Sequence, residues 1–246
     1  MKFFNEILDF IFPRACEVCG KKLETGVRFV CPYCRQNFAS ASDDILAEEY
    51  QRKFSKDKII AGFHSQFVFQ KNFEFQKIIH ALKYEKKYRL GIYLGELIAT
   101  LSRDKILDRQ IDFIIPVPLH RLKKAKRGFN QAFYISVGLS KKLNIPINDK
   151  LLKRSRMTET QTKLNAKERA ENMSGAFELR KNISLEDKTF LLIDDVITTG
   201  ATVKECAIVL KNAGAKKIYA ASAGISHLDP TSGREQINPE LSDRFE

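Results

Sequence analysis

Four segments follow one another in the last third of the chain, and their order constrains the fold more than any other feature. They are an apolar run (190–193), two adjacent acids (Asp194 and Asp195), a loop of small and hydroxyl residues (198–202) and an apolar pattern at helical spacing (203–211). The apolar run is typical of a strand that is buried on both faces of a sheet. A loop between a strand and a helix start presents unpaired backbone N–H groups and the positive end of the helix dipole. The sequence therefore predicts a strand that ends at the acids, followed by a phosphate-binding loop and a helix.

The two acids indicate that the ligand carries more than a phosphate. Adjacent carboxylates repel a phosphate, but an ionised carboxylate accepts hydrogen bonds from hydroxyl groups. A phosphate beside vicinal hydroxyls is a ribose 5-phosphate, so Asp194 and Asp195 are predicted to hold the ribose while residues 198–202 hold the 5-phosphate. The alternative is that both acids are ordinary turn residues and that residues 198–202 form an N-cap.

The rest of the chain alternates between strand-like and helical patterns. Strand-like segments are predicted at 59–69, 112–118 and 217–222, and helices at 75–82, 94–101 and 131–143. This alternation is typical of an α/β fold with a mostly parallel sheet flanked by helices. Residues 39–58 are polar and charged, which predicts a linker with at most a helical turn. The predicted organisation is a small N-terminal unit at 1–45, an α/β domain at 59–226 and a loose tail at 227–246.

Four of the five cysteines form two Cys-x2-Cys pairs with eleven residues between them. They are Cys16, Cys19, Cys31 and Cys34. Two such knuckles can place four thiolates tetrahedrally around Zn²⁺, which predicts a structural zinc ribbon in a segment too short to bury its own core. Disulfides are the alternative, and a cytoplasmic chain argues against them. Cys206 reads as a small buried hydrophobe.

Charge and hydropathy narrow the class of protein. The formal net charge is +12, and basic residues cluster at 83–89, 123–127 and 154–156. Such a surface attracts polyphosphates, nucleic acid or anionic lipid, and the alternative is a set of solvated lysines. No apolar stretch reaches the roughly 20 residues of a membrane span. Residues 1–12 carry acids within an apolar pattern, which predicts an amphipathic helix rather than a signal peptide and a cytoplasmic protein.

Residues 193–202 resemble the phosphoribosyl pyrophosphate (PRPP) motif of the type I phosphoribosyltransferases. Residues 213–223 are similar to the segment that follows this motif in amidophosphoribosyltransferases, although no glutaminase domain is visible. The PRPP motif, both Cys-x2-Cys pairs and three further segments together resemble the ComF family of competence-associated proteins over most of residues 13–225. The three segments are Leu82-Lys83-Tyr84, the Pro-Val-Pro-Leu-His to Arg-Gly-Phe-Asn-Gln stretch at 116–131, and a polar, irregular stretch at 154–177.

The resemblance implies a site for PRPP and Mg²⁺ in a phosphoribosyltransferase-like domain. The PRPP-binding residues it implies are Asp194, Asp195, Val196, Thr198, Thr199, Gly200, Ala201 and Thr202, with both aspartates as the catalytic pair. The pyrophosphate and lid residues it implies are Pro118, Leu119, His120, Arg127, Arg156 and Arg169. The irregular stretch then acts as a lid that excludes water. Lys123 stands where the family often has Arg, which keeps the charge but loses the bidentate geometry.

The resemblance leaves two functions open. One is phosphoribosyl transfer, in which a nucleophile displaces pyrophosphate at C1 of PRPP. The other is a non-catalytic module that binds PRPP, a nucleotide or single-stranded DNA, because a fold does not fix a function. In either case the family implies a role in DNA uptake or utilisation, with single-stranded DNA and a competence helicase as partners. The acceptor of a transfer reaction cannot be read from the sequence.

Overall fold

The computed structural model describes residues 14–70, 73–156, 175–181 and 183–227. The predicted N-terminal helix, residues 157–174 of the predicted lid and the tail beyond His227 lie outside these ranges. The described helices are α1 Pro32–Gln36, α2 Asp43–Lys53, α3 Glu74–Tyr84, α4 Tyr88–Leu101, α5 Arg103–Leu107, α6 Arg121–Arg127, α7 Gln131–Leu143 and α8 Ala201–Asn212. The described strands are β1 Gly62–Val68, β2 Phe113–Pro116, β3 Leu152–Arg154, β4 Phe177–Leu179, β5 Thr189–Ile197 and β6 Lys217–Ile225.

The centre of the fold is a four-stranded sheet in the order β1-β6-β5-β2, and every neighbouring pair is parallel. Helices cover both faces: apolar residues of α3, α4 and α7 pack on one face, and those of α8 and α2 on the other. β3 and β4 form a separate antiparallel pair. The predicted α/β class with a parallel sheet is confirmed. Among the described residues, no helix is long and apolar enough to cross a membrane.

The central strand is longer than the sequence indicated. The apolar run predicted a strand that ends at Ile193, but β5 continues to Ile197 and includes both acids. β2 stops pairing with β5 at Ile193, whereas β6 pairs with β5 as far as Ile197. The acids therefore lie within the strand but beyond the end of one of its neighbours. The polarity of the two acids predicted that the strand ends before them, but backbone hydrogen bonds with β6 continue β5 past both.

Residues 39–58 are not a simple linker. Most of them form α2, which begins where the Ser42 side chain accepts a hydrogen bond from the Ile45 N–H. The buried face of α2 includes Glu49 and Lys53, whose side chains form an ion pair of 2.5 Å. Two paired charges therefore lie where an amphipathic helix normally has apolar residues, and this is why the helix was missed.

The chain between the cysteine segment and α2 adds to the outer edge of β1. Ser40 forms an antiparallel bridge with Phe67. The Val68 N–H donates to the Ala39 carbonyl at 2.7 Å, and the Ala41 N–H donates to the Gln66 carbonyl at 3.2 Å. β1 is an edge strand of the four-stranded sheet, so this segment occupies hydrogen-bonding groups that the sheet leaves open.

The cysteine segment packs against α3 and α4 instead of standing apart. Its apolar side chains join the cluster that covers this face of the sheet. The Phe38 ring meets those of Phe67 and Phe75 at centroid distances of 5.2 and 5.4 Å. Lys77 of α3 donates to the Val18 carbonyl at 3.3 Å. The N-terminal unit and the α/β domain thus share one hydrophobic core.

Helices α4 and α7 approach each other through glycines. A Cβ atom on Gly138 would lie 2.1 Å from the carbonyl oxygen of Ile92, and one on Gly95 would lie 2.0 Å from that of Ile135. Distances this short are far below van der Waals contact, and the atoms met are backbone atoms that cannot rotate away. The two helices therefore pack at a separation that only glycine permits at these positions.

We expect Gly138→Ala to lower the free energy of unfolding by about 1–3 kcal/mol, the usual cost of overpacking a core. Urea denaturation followed by circular dichroism measures this difference. Lys141→Ala is the matched control, because Lys141 is exposed on the same helix and loses no packing. Equal unfolding midpoints for the two variants would contradict the close approach of α4 and α7.

Candidate functional site: the carboxyl edge of the central strand

The two acids of β5 leave the strand on opposite faces. Leu191 and Ile193 pack in the cluster with α3, α4 and α7, whereas Phe190 and Leu192 pack with α8. Because successive side chains of a strand alternate, Asp195 lies on the α3 side and Asp194 on the α8 side. The salt bridge from Asp195 Oδ2 to Lys83 Nζ of α3, at 3.2 Å, agrees with this assignment.

The two carboxylates also differ in their environment. Asp195 is 8% exposed, and its Oδ1 accepts a hydrogen bond from the Val196 N–H at 2.7 Å. Burial and then the neighbouring Asp195 charge raise the pKa of Asp194 to about 7. The hydrogen bond from the Asp195 N–H to Asp194 Oδ1 and the charges of Lys83 and Arg154 act in the opposite direction. Near neutral pH, Asp194 is therefore poised between its two protonation states.

The predicted phosphate loop stands between β5 and α8. Thr198, Thr199 and Gly200 make no backbone hydrogen bond through their N–H groups to the described part of the chain. Gly200 adopts a left-handed conformation with φ of 80°, and the next residue, Ala201, donates its N–H to Thr199 Oγ1 at 3.4 Å. The helix was predicted to begin at Val203 but begins at Ala201, so Ala201 and Thr202 lie in its first turn. Backbone N–H groups in this arrangement at the start of a helix are suited to bind an anion.

Phe54, which follows α2, packs beneath this loop. A Cβ atom on Gly200 would lie 2.8 Å from Phe54 Cε1 and 3.4 Å from Lys53 Cβ. Phe54 is 1% exposed and belongs to the core on the α8 side of the sheet. The loop therefore rests on a rigid aromatic ring, which sequence reasoning missed because residues 39–58 were read as a linker.

A cluster of basic side chains faces the acids. Burial, followed by the charges of Arg154, Arg127 and Lys83, lowers the pKa of Lys123 to about 8. Arg127 of α6 lies over the ring of Tyr84, the residue after Lys83 in α3, so the two helices bring their cations to one region. The influence of the Arg154 charge on the pKa values of Lys123 and Asp194 agrees with a position of Arg154 near this region. The Arg127 guanidinium is 5.8 Å from the centre of the Tyr84 ring and donates to Gln131 Oε1 at 3.3 Å.

The segment expected to be a pyrophosphate loop is partly a helix. The run 121–127 forms α6, which ends at Gly128 with φ of 83°. His120 is buried, and its Nδ1 accepts the Leu122 N–H at 3.3 Å, so it caps this helix. Pro118 and Leu119 are half-buried in the connection from β2. Arg127 lies in the basic cluster, Arg156 is exposed, and Arg169 lies outside the described residues.

Lys83 is the site residue that sequence reasoning did not assign. It was noted only as part of a basic run and of the Leu-Lys-Tyr segment. Because α3 ends at Tyr84, Lys83 lies in the last helical turn, and its ammonium group reaches the carboxyl edge of β5. A lysine directly after a buried apolar helix face was the available signal.

The four N-terminal cysteines come together as their spacing predicted. Their sulfur atoms all lie within 4.8 Å of one another, and Cys19 Sγ and Cys31 Sγ are 3.9 Å apart. Four sulfurs about 2.3 Å from a tetrahedral metal ion would be about 3.8 Å apart. The N–H groups of Cys31 and Cys34 point at Cys16 Sγ and Cys31 Sγ. This cluster can hold a metal ion such as zinc.

Known proteins match the regions that carry this geometry. The profile of the phosphoribosyl transferase domain family matches residues 84–224. Competence protein F of Haemophilus influenzae is 36% identical over 146 residues, which cover 57% of this chain and 63% of that protein. DNA utilization protein YhgH of Escherichia coli O157:H7 is 33% identical over 144 residues, again 57% and 63% of the two chains. Competence protein ComFC of Bacillus subtilis is 28% identical over 199 residues, covering 81% of this chain and 72% of that protein.

The matches to the Haemophilus and Escherichia relatives span less than two thirds of their length. The family profile, in contrast, covers more than half of the present chain and includes β2, β5, α8 and most of β6. The ComF resemblance drawn from the motifs is confirmed by the similarity to three proteins with competence or DNA-utilisation names. The chain belongs to the phosphoribosyl transferase domain family, as a relative of its ComF-type competence proteins.

Proposed function

We propose that this chain is a PRPP-binding protein of the ComF type that serves DNA uptake or DNA utilisation in the cytoplasm. The observation that carries the proposal is the convergence of three unlike groups at the carboxyl edge of β5. These are the carboxylates of Asp194 and Asp195, the open N–H groups of residues 198–200 and the basic cluster around Lys123. A sugar that bears a 5-phosphate, ring hydroxyls and a pyrophosphate presents the complementary groups.

Each part of the ligand has a natural partner. The N–H groups of residues 198–200 and the start of α8 bind the 5-phosphate. The two carboxylates accept hydrogen bonds from the ribose hydroxyls. Lys123, Arg127 and Arg154 bind the pyrophosphate, whose charge they neutralise before it leaves. Arg156 and Arg169 are proposed to approach when the segment that contains them closes over the ligand.

Mg²⁺ is the metal proposed to accompany PRPP. Phosphate oxygens are hard ligands of the kind that this ion prefers, and it keeps several waters when bound. It would offset the charge of the pyrophosphate group. The residues of this chain orient the ribose, its 5-phosphate and the pyrophosphate.

The relatives support both phosphoribosyl transfer and non-catalytic binding. In the first case, a nucleophile attacks C1 of PRPP and pyrophosphate departs. In the second, the same groups bind PRPP, a nucleotide or single-stranded DNA without reaction. Incubation with labelled PRPP, Mg²⁺ and a panel of bases or DNA separates them, since release of pyrophosphate that depends on an added acceptor identifies a transferase. Bound, unreacted PRPP identifies a binding module.

We expect the double variant Asp194→Ala/Asp195→Ala to bind ribose 5-phosphate ten- to a hundredfold more weakly than the natural chain. The expected loss corresponds to roughly 1.5–3 kcal/mol for hydrogen bonds to a charged group. Calorimetry measures the affinities. Asp57→Ala is the control, because it also removes one carboxylate, but one that pairs with Lys204 of α8 and lies outside the acid pair of β5. Equal affinities for the double variant and the natural chain would reject the ribose assignment.

The metal proposed for the cysteine cluster is Zn²⁺, since four thiolates in two knuckles form a closed structural site. We expect Cys31→Ser to lose the metal and to lower the unfolding free energy of the whole chain. The loss of stability is expected to reach beyond the cysteine segment, because this segment shares its core with α3 and α4. Elemental analysis and thermal denaturation provide the readouts. Cys206→Ala, a buried cysteine far from the cluster in sequence, should retain one metal ion per chain, and less than one ion in chelator-free natural protein would contradict the site.

The DNA role has its own proposal: the basic face near the PRPP site binds single-stranded DNA, and a competence helicase is the partner that delivers or receives the strand. The DNA role rests on the names of the relatives and on the cations of α6, of which Lys124 and Lys126 are exposed. The helicase follows from the ComF resemblance alone. Tyr84 and Tyr88 are 45% and 40% exposed beside this helix. Cations beside exposed aromatic rings are typical of sites for single-stranded nucleic acid, in which the cations bind the phosphate backbone and the rings stack on the bases.

We expect neutralisation of Lys123, Lys124, Lys126 and Arg127 to glutamine to weaken DNA binding and to flatten its salt dependence. Each lost phosphate contact on a single strand reduces the log–log salt slope by about 0.7. Fluorescence anisotropy with a labelled oligonucleotide at several salt concentrations measures both effects. The control variant also loses four positive charges. Two come from the last turn of α7, Lys141 and Lys142, and two from the first residue of β6 and the residue before it, Lys217 and Lys216. Equal losses in the two quadruple variants would show that net charge, and not this face, binds DNA.

A further inference from the structure

Lys83 is a cation of the site that is in direct contact with an acid. Its Nζ lies 3.2 Å from Asp195 Oδ2, and the other oxygen of that carboxylate accepts the Val196 N–H at 2.7 Å. The Lys83 side chain is 22% exposed and that of Asp195 is 11% exposed. Both oxygens of Asp195 thus have protein partners in a region with little water.

Lys83 also acts on the remaining charged groups of the site. Its charge favours the ionised form of Asp194 and disfavours that of Lys123. Its charge thus acts both on the acids of β5 and on the neighbouring cation of α6. An ammonium group is a compact point charge that is suited to this place.

Two adjacent carboxylates repel each other and the phosphate of a nearby ligand, and a cation beside them offsets this repulsion. We propose that Lys83 is the built-in counter-ion of the Asp194–Asp195 pair, so that this pair takes up a phosphorylated sugar without a divalent cation. The sugar part of the proposal rests on the proposed function. A divalent ion that arrives with PRPP is then held by the pyrophosphate, and the carboxylates remain bound to lysine and ribose.

The first test needs no sugar and therefore does not depend on the proposed function. Mn²⁺ is titrated into the full chain in a buffer without other divalent ions and is followed by electron paramagnetic resonance. We expect Lys83→Met to bind one Mn²⁺ ion at least tenfold more tightly than the natural chain does, because Asp195 has lost its cation. The double variant Lys83→Met/Asp195→Asn should lose this added site. Lys105→Met is the matched control, since it breaks the ion pair with Asp43 and leaves β5 untouched.

The second test uses ribose 5-phosphate and calorimetry, with and without Mg²⁺. The natural chain and Lys83→Arg should bind it with an affinity that Mg²⁺ changes less than threefold. Lys83→Met should bind it roughly ten- to a hundredfold more weakly without Mg²⁺ and recover at least part of that loss when Mg²⁺ is added. A lysine with a purely structural role would weaken binding equally in both buffers.

The outcomes separate the two proposals. If the natural chain fails to bind ribose 5-phosphate at all, the proposed function and the sugar part of this inference fall together, while the Mn²⁺ titration still decides the counter-ion role. If the natural chain binds the sugar only with Mg²⁺, or if Lys83→Met gains no Mn²⁺ site, Lys83 is not the counter-ion. Circular dichroism of each variant confirms that it folds before it is scored.

Discussion

The position of the site depends on the central strand β5 pairing over a longer stretch with β6 than with β2. β5 pairs with β2 only as far as Ile193, but its pairing with β6 continues for four more residues. Those four residues include the two acids, so backbone hydrogen bonds on one side fix them in extended form. On the other side the chain leaves β2 and leads into α6, which brings Lys123 and Arg127 to the same edge. The two acids lie near the cations of α6 because β5 extends four residues beyond the end of its pairing with β2.

The loops around this edge are tied down before any ligand arrives. Lys53 of α2 donates to the Ser226 carbonyl at 3.2 Å, and the Ser226 N–H donates to the Ile197 carbonyl at 2.9 Å. Glu49, buried in the same helix, holds Lys53 and also contacts His227 Nδ1 at 2.9 Å. Phe54 supports Gly200 from below. The ends of β5 and β6 and the loop at 198–200 are thus joined to α2, and such fixed geometry reduces the entropy that ligand binding must overcome.

How far the sequence predicted this molecule depended on whether side-chain polarity or backbone pairing decided each element. α7 runs from Gln131 to Leu143 as predicted, because its apolar spacing and the Asn130 cap agree. The cysteine cluster followed from ligand spacing alone. The end of β5 did not, since hydrogen bonds to β6 carry two acids into the strand. α2 was missed because its buried face contains paired charges. Lys83 was not assigned to the site because its partner lies 112 positions further along the chain, and no local pattern records that distance.

The strip of chain at residues 39–41 has a consequence for how the protein can be divided. It covers the outer edge of β1, and Phe38 beside it covers the rings of Phe67 and Phe75. A fragment that starts at residue 59, where the sequence predicts the α/β domain to begin, lacks this strip and bares an edge strand and two aromatic rings at the same place. Open strand edges with an apolar flank pair with other copies of themselves. The predicted boundary between the N-terminal unit and the α/β domain is therefore a poor place to cut the chain.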